Sequence, residues 1–265
     1  MATSLTSIED APPAESAVEY FPSQDLNPLS HPDEHIQDLL EGLNSKDWIK
    51  VCESLNDTRR FALYHSTLLL PLLEPVMMVL VKAMKNPRSA LCKTSIMAAA
   101  DVFVAYQDKL LEDTYSAAFD NLLLQLLLKA SQDKRFVCEE ADKTLNSMVQ
   151  SLTPLPLLQS LQKYARHSNP RVRAKAAISI ANCVSRMAFK DLQEFGLVPL
   201  VQVAANLLND RLPEAREAAR SIAMSVYRSF TENEEYEKQE SWQNFCESNL
   251  PALHGQSIIK ITTTH

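Results

Sequence analysis

The chain has 265 residues, 46% of them apolar, which is enough to bury one sizeable core. Its three glycines, Gly42, Gly196 and Gly255, are too few for the hairpins and bulges of a sheet protein or for a loop that cradles phosphate. A net charge of −7 argues against nucleic acid as a partner.

Residues 1–32 carry five prolines, acidic residues and no basic ones, and are expected to form a disordered acidic tail. The first basic residue is Lys46, so neither a secretory leader nor an arginine-bearing transit peptide is expected. From Asp33 the pattern turns helical. Ile36, Leu39, Leu40 and Leu43 fall on one face, and helical patterning continues to about residue 262, leaving 263–265 as a short tail. The longest apolar stretch, Phe61 to Val81, is interrupted by His65, Pro71, Glu74 and Pro75, and is not read as a membrane span. A cytoplasmic protein is expected.

An internal repeat organises the helical region. An apolar residue is followed by Cys or Arg, and four positions after the apolar residue stands a small or apolar one. The units are Val51-Cys52 with Leu55, Leu91-Cys92 with Ser95, Val137-Cys138 with Ala141, Val172-Arg173 with Ala176, and Ala215-Arg216 with Ala219. Successive units are 40, 46, 35 and 43 residues apart, and each follows a polar turn: NSKDW, KNPRSA, SQDKRF, HSNPR and NDRLPE. A period near 40 with two helices per unit is the pattern of HEAT and armadillo repeats, whose helix pairs bury each other's apolar faces by stacking. A weaker sixth pair at 241–262, around Trp242, Phe245, Leu250 and Ile258, would cap the stack. The expected fold is therefore all-α: an α-solenoid of about six HEAT-type pairs, armadillo-like, over 33–262.

The five cysteines lie apart with no C-x-x-C spacing, which suits reduced core thiols; Cys52, Cys92, Cys138 and Cys183 are expected on buried faces of second helices. The six histidines are scattered, and no metal-ligand spacing, nucleophile elbow or phosphate loop occurs. Asp101, inside an apolar run, reads as a buried acid paired to a neighbouring helix. No catalytic residue, metal ligand or cofactor is assigned, and no enzyme is expected.

Charge is unevenly placed. The turns inside helix pairs hold Lys46, Lys85, Arg88, Lys134, Arg135, Arg171, Arg173 and Arg211 against Asp47, Asp133 and Asp210. The linkers between pairs hold three basic and eleven acidic residues. One edge of the rod is thus basic along its length, a docking strip for an acidic protein surface. Trp48, in the first turn, either packs beneath its own helix pair or stands exposed as an anchor at one end of that strip.

The segments SKDWIKVCESLNDTRR and KNPRSALCKTSIMAAADVF, with the five or six repeats, resemble the TOG domain, a HEAT-repeat tubulin-binding module. The likeness is greatest to the N-terminal-domain class of the cytoplasmic linker-associated proteins. This resemblance implies a non-enzymatic module that binds tubulin or microtubules through the intra-pair turns, with Trp48 as anchor and Arg88, Lys134 or Arg135, Arg171 and Arg211 beside it. It further implies association with the cytoskeleton. The alternative is a HEAT adaptor that holds an acidic peptide or regulatory protein. Neither nucleic acid nor membrane is expected as a partner.

Overall fold

The structure is a computed structural model that describes residues 19–232 and 238–263. Among the described residues the regular elements are all helical. In chain order they are α1 (Pro32–Leu43), α2 (Trp48–Tyr64), α3 (Ser66–Leu69), α4 (Leu73–Met84), α5 (Ser89–Tyr106), α6 (Asp113–Ala130) and α7 (Arg135–Ser151). Then come α8 (Pro154–Leu161), α9 (Pro170–Arg186), α10 (Phe189–Phe195), α11 (Leu197–Leu207), α12 (Pro213–Thr231), α13 (Lys238–Asn249) and α14 (Ala252–Thr263).

These form six antiparallel pairs: α1/α2, α4/α5, α6/α7, α8/α9, α11/α12 and α13/α14. The short helices α3 and α10 serve as linkers. The second helices make one layer, in which α2, α5 and α7 lie side by side, as do α9 and α12. The repeat explains this packing. Its leading residues Val51, Leu91, Val137, Val172 and Ala215 are all buried, and so are Leu55, Ser95, Ala141, Ala176 and Ala219 four positions on. Small side chains in that second slot let neighbouring helices approach closely.

The polar turns start the second helices. In four of the five, an Asp or Asn side chain accepts a hydrogen bond from the backbone N–H two residues ahead: Asp47 from Ile49 at 2.9 Å, Asn86 from Arg88 at 2.9 Å, Asn169 from Arg171 at 2.9 Å and Asp210 from Leu212 at 3.1 Å. This satisfies a donor that a helix start leaves without a partner. Pro170 and Pro213, at the first helical positions of α9 and α12, need no such partner.

The most apolar helical stretches, 66–84 and 89–111, bury 50% and 61% of their most apolar windows in the core. At the C-terminal end, Trp242 is fully buried among Tyr227, Phe230 and Phe245, and its indole N–H donates to Thr262 Oγ1 at 2.8 Å. This aromatic cluster ties α12, α13 and α14 together as the expected cap.

Two expectations need correction. The disordered tail predicted for 1–32 does not hold over its second half; residues 1–18 lie outside the described residues. Residues 20–29 form a strap against α2 and α5. Leu26 is buried, its carbonyl accepts from Tyr64 Oη at 2.6 Å, and Lys93 Nζ lies 4.5 Å from the centre of the Tyr20 ring. The physical reason is a buried ion pair beneath the strap. Arg59 Nε meets Asp101 Oδ2 at 2.7 Å, and the strap supplies the Phe21 carbonyl to Arg59 and the Ser23 hydroxyl to Asp101 at 2.8 and 2.6 Å. Asp101 is thus paired across helices, as its apolar setting predicts.

The second correction is Cys138. Cys52, Cys92 and Cys183 are buried thiols, but Cys138 is only half-buried, with its Sγ 3.0 Å from the Ala130 carbonyl. It starts the third repeat beside Lys175 and Asp142, where α7 and α9 are bridged by polar side chains instead of closing over it.

Candidate functional site

The intra-pair turns form one continuous edge, because each touches the next. The Arg88 guanidinium lies 5.8 Å from the centre of the Trp48 ring. Lys134 Nζ reaches Ser89 Oγ at 3.5 Å. Arg171 donates to Asp133 at 2.6 Å and to the Ser131 carbonyl at 3.2 Å. Arg173 meets Asp210 at 2.7 Å. Five turns are chained this way, each side chain bridging one repeat spacing.

Lys46, Lys85, Arg88, Lys134, Arg135, Arg171 and Arg211 are all exposed there, while Arg173 is half-buried. Among the described residues, Lys46, Lys85, Arg88 and Arg211 make no ion pair. Arg135 pairs with Glu139 along its own helix at 2.7 Å. Arg173 also donates to the His167 carbonyl at 2.8 Å, so it fastens the fourth turn to the fifth. Asp210, its partner, feels burial pushing its carboxyl upward, but hydrogen bonds from Arg173 and from the Leu212 backbone outweigh this and hold it below the usual range.

Trp48 combines both readings of its role. It is half-buried at the start of α2, with part of the indole against the core. The rest lines a recess of about 140 Å³ shared with Lys46, Val79, Lys82, Asn86 and Arg88. One cation, Arg88, thus lies over the indole and two more, Lys46 and Lys82, line the same recess, a setting that suits a group both apolar and acidic.

Three further residues of this edge escape the sequence reading. Lys82 is exposed one helical turn before Lys85 and faces the same recess; its spacing of three from Lys85 is the signal that could have found it. Ile49 and Phe136 are each 43% exposed in the first turns of α2 and α7. Neither stands out in the repeat pattern or in the distribution of charge.

The opposite edge is also contiguous. Tyr106 Oη donates to the Ser66 carbonyl at 2.7 Å, the Asp108 carboxylate accepts from the Thr153 backbone and hydroxyl, and Arg186 reaches the carbonyls of Gln150 and Leu152. These polar groups hold linkers together.

No protein-family model matches the chain. Its sequence is similar to the TOG array regulator of axonemal microtubules protein 1 of Mus musculus, at 29% identity over 212 residues that make up 77% of this chain and 11% of the relative. The chain thus spans about a tenth of that protein's length. Among solved structures, the TOG domain of Zyg9 from C. elegans superposes with a TM-score of 0.64 at 15% identity, covering 89% of this chain and 87% of that one. A TOG domain of crescerin, from an array reported to regulate microtubules in the primary cilium, gives 0.57 at 13% identity, with 88% and 90% covered. The six stacked pairs, the edge of five linked turns and these likenesses agree that the chain has the fold of the TOG domains it resembles.

Proposed function

We propose that this chain is a non-enzymatic binding module that holds tubulin through the edge of intra-pair turns, and that it works in association with the microtubule cytoskeleton. The observation that carries this reading is the recess at the first two turns. There Trp48 offers an apolar face while Lys46, Lys82 and Arg88 surround it without ion-pair partners among the described residues. An acidic protein surface that inserts an apolar side chain would be desolvated against the indole and steered by the cations. The similar mouse protein is named for microtubules, which supports tubulin as the acidic partner.

The remaining candidate residues fit the same reading. Lys85, Lys134, Arg135, Arg171 and Arg211 would extend the positive strip along the rod, and Arg173 would fix the turn that presents Arg171. The test is size-exclusion chromatography of the full chain with unpolymerised tubulin. Co-elution that is lost on Arg88→Glu, with helical content unchanged, supports the reading. Separate elution of the wild-type chain refutes it.

A further inference from the structure

Resting on the tubulin reading, we infer that the edge is divided: the first three turns hold the affinity for tubulin, and Phe136 is an anchor of that half together with Trp48 and Ile49. The last two turns only orient the partner.

Two independent features of the edge separate the halves. The first is apolar exposure. A folded domain normally buries large apolar side chains at the first turn of a packed helix, and isolated exceptions carry little meaning. Leu253, at the start of the capping helix α14, is one such exception; two more fall on the basic edge. Ile49 and Phe136, both 43% exposed, stand at the first turns of α2 and α7, and Trp48 is half-exposed beside Ile49. In the register of the repeat, Phe136 occupies the position of Lys50, Ala90, Arg171 and Glu214 in the other pairs. An aromatic side chain stands there once, between the exposed cations Lys134 and Arg135 and the exposed Glu139. No large apolar residue is exposed in the turns of the fourth and fifth pairs.

The second feature is what the cations are doing. Lys46, Lys85, Arg88 and Lys134 have no carboxylate partner among the described residues. In the fourth turn the cations are engaged: Arg171 with Asp133 and the Ser131 carbonyl, Arg173 with Asp210 and the His167 carbonyl. Arg211 alone stays unpaired in the fifth turn, with Glu214 three residues away to offset its charge. A cation already held by a carboxylate must give up that bond before it can bind another, so it adds less to association.

The two features coincide, since the apolar anchors sit beside Lys46, Lys85, Arg88 and Lys134, and of the cations in those three turns only Arg135 is paired among the described residues, with Glu139 of its own helix. Interface energy concentrates where an aromatic or apolar anchor is ringed by groups that exclude water. Trp48 and Phe136 lie two repeats apart, roughly 20 Å at about 10 Å per helix spacing. A partner surface that seats both must offer two apolar depressions at that separation within an acidic field.

The test compares two variants of the full chain by sedimentation with fluorescently labelled tubulin. Phe136→Ser should weaken the complex about tenfold and leave the melting temperature in place, because the ring is exposed. Arg171→Ala combined with Arg211→Ala should weaken it less than about threefold. A wild-type complex that tolerates Phe136→Ser, or that suffers more from the arginine pair, overturns the division and leaves the tubulin reading standing. A wild-type chain that binds no tubulin overturns both.

Discussion

Arg59 and Asp101 form a buried ion pair between the second helices of the first two repeats, with side chains 1% and 5% exposed and the nitrogen and oxygen 2.7 Å apart. A buried charge is tolerated when its remaining donors and acceptors are also filled. Here the filling comes from outside the repeats, through the Phe21 carbonyl and the Ser23 hydroxyl of the strap. The strap and the ion pair therefore depend on each other.

Removing residues 2–30 should lower the melting temperature by several degrees. Asp101→Ala should cost about 3–5 kcal/mol, since it strands Arg59 in the interior. Chemical denaturation of both variants checks this. A truncated chain as stable as the full one would show that water replaces the strap without loss.

Asp210 should contribute to acid stability. Its carboxyl is held below the usual range when folded, so its stabilisation is fully present above the unfolded value of about 3.9 and is lost as pH falls through the lower folded value. Asp210→Asn should flatten that part of the acid limb while destabilising the domain at neutral pH. Thermal melts between about pH 2.5 and 7 would reveal it. An unchanged acid limb would mean that Arg173 does not act through this carboxylate.

The thiols should react in a fixed order. Burial raises Cys52 to about 11 and Cys183 and Cys246 to about 12. Cys138 is also raised, yet it is the half-buried one. Under native conditions a maleimide should modify Cys138 first, with the other four slower by orders of magnitude, as followed by peptide mass mapping. Equal rates at all five would mean that the second helices open together.

Much of this architecture was legible in the sequence, because stacked helix pairs repeat their chemistry. The buried slots at Val51, Leu91, Val137, Val172 and Ala215 recur behind polar turns, and those turns start the next helix through Asp47, Asn86, Asn169 and Asp210. The strap was not legible. Residues 20–29 have no period, and they dock through a carbonyl and a hydroxyl onto Arg59, which the repeat pattern does not single out. On the edge, the basic residues were legible from the charge of the turns and from the family resemblance. The exposure of Ile49 and Phe136 was not, since an apolar residue beginning a helix looks the same in sequence whether it faces the core or the solvent.

Salt dependence separates the cations from the apolar anchors. Raising ionic strength from about 0.05 to 0.5 M shortens the screening length several-fold, so the tubulin complex should weaken chiefly through slower association. Arg88→Gln should reduce that dependence, whereas Phe136→Ser should leave it intact. Stopped-flow association rates measure both, and an equal loss of slope in the two variants would contradict the assignment of roles.

The recess of Trp48 and Arg88 is the seat proposed for tubulin. The direct measurement is equilibrium binding of unpolymerised tubulin to wild-type, Trp48→Ala and Arg88→Glu chains, each first confirmed to be folded by circular dichroism. The wild-type complex should weaken by about 2 kcal/mol or more with Trp48→Ala and be lost with Arg88→Glu. Equal affinity in all three would place the binding surface elsewhere on the rod.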